Sequence, residues 1–224
     1  MRLWKRAGRS TLLPDESVAA TARAAAGMRH RGERLGGTAG NELLTSTTAV
    51  VLILLLAAEG VTILRLGGLL TEHMVIGMVL IPPVLVKLGS TGYRFVRYYA
   101  GARPYREKGP PLLALRLLAP VLVVSTLVVF ATGVALLLVG HRSGVLGLLH
   151  KASFILWGAC FAAHLLSYLP RVWRSLRAGW SASRAERVPG SGLRAAILAA
   201  SIGAGVALAL VTLSLIDAWD PGRF

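Results

Sequence analysis

The chain has 224 residues, of which 54% are hydrophobic, and a formal net charge of +15. So high an apolar content, concentrated in long runs, is typical of an integral membrane protein rather than a soluble domain. The basic residues lie between the apolar runs, without a zinc, helix-turn-helix or RNA-binding motif, so the charge does not indicate nucleic acid as a partner.

The chain begins with a basic segment, residues 1–40, which contains eight Lys and Arg residues and no apolar run of the kind found in a cleavable signal peptide. Within it, residues 15–35 predict either an amphipathic cytoplasmic helix, because Asp15 and Glu16 suit a first turn, or a disordered stretch.

Five apolar runs are long enough to cross a bilayer as helices, near residues 43–66, 70–95, 112–139, 146–169 and 193–217. The connections after the second and fourth runs are rich in arginine, whereas few basic residues lie on the opposite side. Because cytoplasmic loops hold the excess of Lys and Arg, the N-terminus is predicted to be cytoplasmic and the C-terminus outside.

The predicted fold class is therefore all-α, an integral membrane bundle of five transmembrane helices in the bacterial inner (plasma) membrane, with the lipid bilayer as a partner. A four-helix core is predicted over 41–169, a basic cytoplasmic loop over 170–192, and the fifth helix with a short external tail over 193–224.

Ionisable residues recur within the second and fourth runs. His73 and Lys87 are fourteen residues apart, as are His150 and His164, and an offset of 77 residues superimposes the two pairs. Fourteen residues are close to four helical turns, about 21 Å, so each pair is expected on one helix face. Pro82 and Pro83, which follow His73, are expected to kink the second helix and to free backbone carbonyls.

The fifth run contains small residues at every fourth position, namely Ala195, Ala199, Gly203 and Ala207. Such a row lets helices approach closely, which predicts a packing helix without chemistry.

Two further ionisable side chains have several roles open to them. Lys87 either extends to the inner interface, neutralises a buried acid or a ligand carboxylate, or pairs with His164. Glu59 either bonds His73, Thr62 or Lys151, which we favour, or takes part in proton or quinone chemistry.

A six-coordinate b-type haem needs two neutral imidazoles that face each other from opposing helices. Both matched runs are predicted to cross from outside to inside, which places His73 and His150 at one depth near the outer leaflet. Gly77, one turn below His73, would let a flat ring approach the backbone, and Lys151 could reach a propionate. The sequence therefore predicts one haem b with iron ligands His73 and His150. The aromatic residues between His150 and His164 are expected to pack as an ordinary helix face.

The histidines of this constellation resemble those of the four-helix b-type cytochromes, the superfamily that includes cytochrome b and ferric-reductase-like membrane haem proteins. The resemblance covers residues 43–169 and implies that His73 and His150 bind an outer haem and that His164 is half of an inner site. Lys87 departs from the pattern, so a second haem is doubtful. The stretch KLGSTGYRFVRYY, residues 87–99, is similar to membrane proteins of actinobacteria, which implies no activity.

The function predicted first is a membrane b-type cytochrome-like electron-transfer subunit, rather than a stand-alone enzyme, with a quinone or an extracytoplasmic redox protein as partner. The alternative is a non-catalytic membrane scaffold or assembly subunit without a cofactor, in which the histidines bond neighbouring helices. A small transporter is less favoured, because such proteins normally contain inverted repeats whereas the matched runs here are parallel.

Overall fold

The structure, a computed structural model, describes residues 36–109, 113–139, 144–177 and 188–219. Within these ranges the regular elements are helices, and five of them are long and apolar enough to cross a membrane. In chain order the helices are α1 (Gly37–Leu64), α2 (Leu70–Tyr99), α3 (Arg103–Arg106), α4 (Leu113–Val139), α5 (Gly144–Arg177), α6 (Ser191–Val211) and α7 (Leu213–Asp217). The predicted all-α membrane bundle with five spans is confirmed. The helix or disordered stretch expected at 15–35 lies outside the described residues.

The bundle is built from two helical hairpins and a fifth spanning helix. Helix α1 packs along α2, α4 packs along α5, and α6 packs along the other side of α2. Helix α2 is therefore the central element, in contact with α1, α4, α6 and α7. At one end of the bundle, Gly36 before α1 lies against Val188 and Pro189 before α6. The first and fifth spans thus start on the same side of the membrane, as the four crossings between these two starts require.

The apolar core joins α2, α4, α6 and α7 through Met78, Leu137, Ala209 and Ile216. The fifth apolar run was expected to form one helix over 193–217, but α6 ends at Val211 and α7 follows separately. The Thr212 hydroxyl at this break donates hydrogen bonds to the carbonyls of Leu208 and Ala209. The break lets α7 fold onto the bundle, where the Ile216 side chain is fully buried.

Helix α2 continues through Pro82 and Pro83, and a glycine of α6 lies against the backbone that these prolines leave unpaired. Because Pro83 has no N–H, the carbonyl of Val79 lacks its normal helical donor. A Cβ added to Gly205 would overlap this carbonyl oxygen. The glycine hydrogen in that position therefore points at the oxygen, in the manner of a weak Cα–H···O hydrogen bond. The freed carbonyl that the sequence predicts is thus covered by α6.

The face of α6 that packs on the bundle differs from the predicted one. The buried positions are Arg194, Ser201, Gly205 and Ala209. The predicted row, Ala195, Ala199, Gly203 and Ala207, is exposed. Small residues occur on more than one side of this helix, so their spacing could not distinguish the packed face from an exposed one. The contact with the Val79 carbonyl selects the Gly205 face.

Two glycine substitutions on α6 test this packing. Gly205→Ala should lower the free energy of unfolding by about 1–3 kcal/mol, because the added methyl group forces α6 away from Val79. Gly203→Ala is the matched control, since nothing lies within 4 Å of a Cβ at that position. Thermal unfolding of both purified variants in detergent, followed by circular dichroism, measures the difference. Equal effects of the two substitutions would contradict the packing described.

Candidate functional site

His73 is held by a buried carboxylate of the neighbouring helix. Its Nδ1 lies 2.8 Å from Oε1 of Glu59 on α1, and the Glu59 residue is 9% exposed. The Thr62 hydroxyl lies 3.2 Å from the second carboxylate oxygen and 3.3 Å from the same Nδ1. Where the carboxylate is ionised it only accepts hydrogen bonds, and Nδ1–H of His73 is then the donor to Glu59. In the neutral ring, Nε2 then retains its lone pair.

His150 is held in the same way by the helix that precedes it. Its Nδ1 lies 3.1 Å from the carbonyl oxygen of Val129 and 3.1 Å from the Thr132 hydroxyl, both on α4. That hydroxyl donates to the Val128 carbonyl at 2.7 Å, and the Val129 carbonyl can only accept. The hydrogen is therefore on Nδ1 of His150, and Nε2 of the neutral ring retains its lone pair.

The two imidazoles meet between the hairpins. Their ring centroids are 6.3 Å apart and their planes are inclined at 77°. Helices α2 and α5 otherwise scarcely approach each other, so the two side chains bridge the space between them. Two imidazoles that held one metal ion through bonds of about 2 Å each, plus about 1 Å from each nitrogen to its ring centre, would have their ring centres about 6 Å apart. The observed separation suits this arrangement.

A glycine that the sequence analysis did not single out borders this pair. A Cβ at Gly133 of α4 would lie 3.1 Å from Cε1 of His150, so glycine is what lets the ring lie close to α4. Gly77 was expected to make room for a flat ring. A Cβ added at this position would lie 3.8 Å from Oε1 of Glu59. This is an ordinary van der Waals distance, so the carboxylate does not require glycine at position 77, and the role expected for Gly77 stays a prediction. The sequence signal for Gly133 was its place near Thr132 in an otherwise apolar run.

Lys87 and His164, which the sequence pattern places opposite each other at the inner site, are not bonded to each other. Nζ of Lys87 donates to the carbonyl of Thr45 on α1 at 2.9 Å, whereas Nδ1 of His164 is buried without a hydrogen-bond partner. The His164 ring lies against Tyr168, with ring centroids 4.8 Å apart. The bond that Lys87 makes to a backbone carbonyl is none of the three roles open to it, which stay predictions.

The residues between the two levels of α5 form a stack of aromatic rings. The ring of Trp157 lies 5.9 Å from that of Phe154 and 4.9 Å from that of Phe161, centroid to centroid. The Trp157 indole N–H donates to the Thr126 hydroxyl on α4 at 3.0 Å. These aromatics pack within the hairpin of α4 and α5. The sequence analysis expected them to form an ordinary packed helix face.

The remaining predicted contacts of the site lie outside the histidine pair. Lys151 follows His150 on α5 and is exposed. Arg65, exposed at the end of α1, is the other basic residue of that side that the structure describes. Both are able to reach an anionic group at the surface, but neither touches the imidazoles.

The ligand set of the site limits the metals that it can hold. No group of three or more His, Cys, Asp or Glu side chains is arranged to bind a metal ion in the described ranges. A bare ion such as zinc needs three or four protein ligands. Two opposed imidazoles suit instead a metal whose other ligands come with it, as a porphyrin provides them.

A double-mutant cycle tests the bond between Glu59 and His73 without any cofactor. Each of Glu59→Ala and His73→Ala removes the same interhelical bond, so their combined cost should fall short of the sum by about 0.6–1.7 kcal/mol. Glu107→Ala combined with His73→Ala is the control, because Glu107 pairs with Arg103 elsewhere and its effect should be additive. Chemical unfolding of haem-free protein in detergent measures these energies, and additivity of the first pair would contradict the bond.

Comparison with known proteins gave no matching family model, no matching curated protein and no matching solved structure. The functional assignment therefore depends on the geometry of the site.

Proposed function

We propose that this chain is a membrane electron-transfer subunit that binds one b-type haem between His73 and His150. The observation that carries the proposal is that the two rings have matching Nδ1 contacts and lie close together. Each Nδ1 lies within 3.1 Å of a protein oxygen on the neighbouring helix, which leaves the Nε2 of a neutral ring with its lone pair, and the ring centroids are 6.3 Å apart. When bound, the haem iron supplies one-electron transfer.

The bonds to Nδ1 orient the two proposed ligands. Metal-binding histidines almost always donate their other ring hydrogen to a carboxylate or a backbone carbonyl, which fixes the tautomer and the ring orientation. Glu59 has this role for His73, and the Val129 carbonyl has it for His150.

The inner level supports one haem rather than two. A second bis-histidine site would need an imidazole opposite His164, and the residue at that position of α2 is Lys87. Its ammonium group is bonded to the Thr45 carbonyl on α1. His164 is therefore left without an opposing ligand.

The partner in electron transfer has to come from outside the chain. No dinucleotide or flavin motif is present in the sequence, and the proposed haem lies towards the outer side by the positive-inside rule. A quinone in the membrane and an extracytoplasmic redox protein are the two classes that can reach this depth.

The same contacts also support the scaffold alternative, in which they are ordinary helix packing. Each histidine is bonded within its own hairpin, and such bonds alone stabilise a membrane bundle. The two functions differ in what the Nε2 lone pairs do, since a scaffold leaves them unused.

Absorption spectroscopy of the purified full-length protein, expressed with haem supplementation, tests the proposal. The native chain should show a Soret band at about one haem per chain, and His73→Ala or His150→Ala should abolish it, because each removes one of two axial ligands. His150→Gly with added imidazole should restore the band, because a free imidazole can occupy the position of the lost ring. Circular dichroism checks that the variants remain folded.

His141→Ala and His164→Ala are the matched controls, since neither histidine belongs to the proposed pair. Both variants should keep the band at full intensity. A native protein without a Soret band would refute haem binding and leave the scaffold. A band that survives in His73→Ala but is lost in His164→Ala would show that the haem is elsewhere.

A further inference from the structure

Three arginines at the inner end of the bundle lack acidic partners. In the described ranges the acids at this end are Glu42, paired with Lys108 at 2.7 Å and Arg94 at 3.7 Å, and Glu107, paired with Arg103 at 2.8 Å. Among the exposed arginines whose side chains the structure describes there, Arg97, Arg106 and Arg116 have no ion pair. Their charge is therefore available to an anion from outside the chain.

Tyrosine rings fix two of these arginines in position. A guanidinium nitrogen of Arg116, in the first turn of α4, donates to the Tyr99 hydroxyl at the end of α2 at 2.6 Å. Arg97 lies over the ring of Tyr105, 6.0 Å from its centre. Burial, together with Tyr93, raises the pKa of Tyr105, so the ring stays neutral beneath the cation. Side chains held in this way lose less entropy when they bind an anion.

Apolar side chains lie on the membrane side of Arg116 and Tyr99. Phe95 on α2 packs on Tyr99 with ring centroids 4.5 Å apart and is 62% exposed, and Leu117 follows Arg116 on α4 and is 68% exposed. A cationic and hydroxyl layer with exposed apolar groups beneath it matches the order of groups in a phospholipid, headgroup outside and acyl chain inside.

The same two helices enclose an apolar groove nearer the middle of the membrane. It has a volume of about 300 Å³ and is lined by Leu88 and Ile81 of α2 and by Leu127, Ala131 and Val134 of α4, among other apolar side chains. Leu88 is eleven residues from Tyr99, and Leu127 is eleven residues from Arg116, so the groove begins about 16 Å deeper on both helices. The groove therefore begins near the middle of a hydrocarbon core of roughly 30 Å, where the end of an inner-leaflet acyl chain lies.

We propose that the crevice between α2 and α4 binds an anionic phospholipid of the inner leaflet, with its phosphate at Arg116 and Tyr99 and one acyl chain directed into the groove. The charge of the unpaired arginines selects an anionic over a zwitterionic headgroup. This site is separate from the histidine pair and does not depend on haem.

Native mass spectrometry of the delipidated full-length protein in detergent, offered equal amounts of phosphatidylglycerol and phosphatidylcholine, tests the proposal. The native chain should retain phosphatidylglycerol preferentially, and Arg116→Gln should reduce the ratio about fivefold, as expected for one interfacial cation. Tyr99→Phe removes only the hydroxyl and should reduce the ratio in the same direction, which keeps the test valid if Arg116→Gln folds poorly. Arg103→Gln, the matched control, should not change it, because Arg103 is paired with Glu107.

Two further measurements use a variant that fills the groove and competition by inorganic phosphate. Ala131→Phe fills the groove and should weaken retention of long-chain phosphatidylglycerol but not of a short-chain form. Inorganic phosphate at millimolar concentration should not displace the lipid. Equal loss in Arg103→Gln and Arg116→Gln, equal retention of both lipids, or displacement by inorganic phosphate would overturn the proposal.

Discussion

Within the hydrocarbon core of a bilayer no water is present to bond a polar group, so each polar side chain there has to find its partner in the protein. This constraint arranges the whole bundle. Glu59 bonds His73, the carbonyl of Thr45 accepts from Lys87, and the carbonyl of Val129 accepts from His150. Each of these bonds joins two helices of one hairpin. The hairpins α1–α2 and α4–α5 therefore satisfy these polar groups internally, whereas Nδ1 of His164 stays without a partner, and the apolar core and the pair of imidazoles lie between the hairpins.

The central position of α2 follows from its two prolines. A proline pair in the middle of a spanning helix leaves carbonyls without helical donors, which a lipid-facing helix cannot tolerate without cover. Pro83 is fully buried, and Gly205 of α6 lies against the Val79 carbonyl. The fifth span, α6, thus covers a carbonyl that the second span, α2, leaves without a helical donor. It also leaves the opposite face of α2 open to α1, where Glu59 and His73 meet.

The sequence predicts the spans of this bundle well and their packed faces poorly. The five spans are visible because hydropathy and charge change sharply at their ends, and an offset of 77 residues already pairs His73 with His150. The packed face of α6 is not visible, because alanine and glycine occur on several of its sides. The partner of His150 is not visible either, since every residue has a backbone carbonyl and nothing in the side chain of Val129 marks it as an acceptor.

The His73 and His150 rings lie close together, whereas Lys87 and His164 are not bonded to each other. This difference results from the partner that Lys87 binds. An ammonium group in hydrocarbon has no acceptor on an apolar helix face, and the Thr45 carbonyl at the inner end of α1 is within reach. The bond directs the ammonium group to its own hairpin, so Lys87 is not the hydrogen-bond partner of Nδ1 of His164. His73 is also bonded within its hairpin, but through one ring nitrogen, and an imidazole has a second one. A histidine can therefore satisfy its own helix pair and still offer a lone pair to the space between hairpins, which a lysine bonded to a carbonyl cannot do as an ammonium ion.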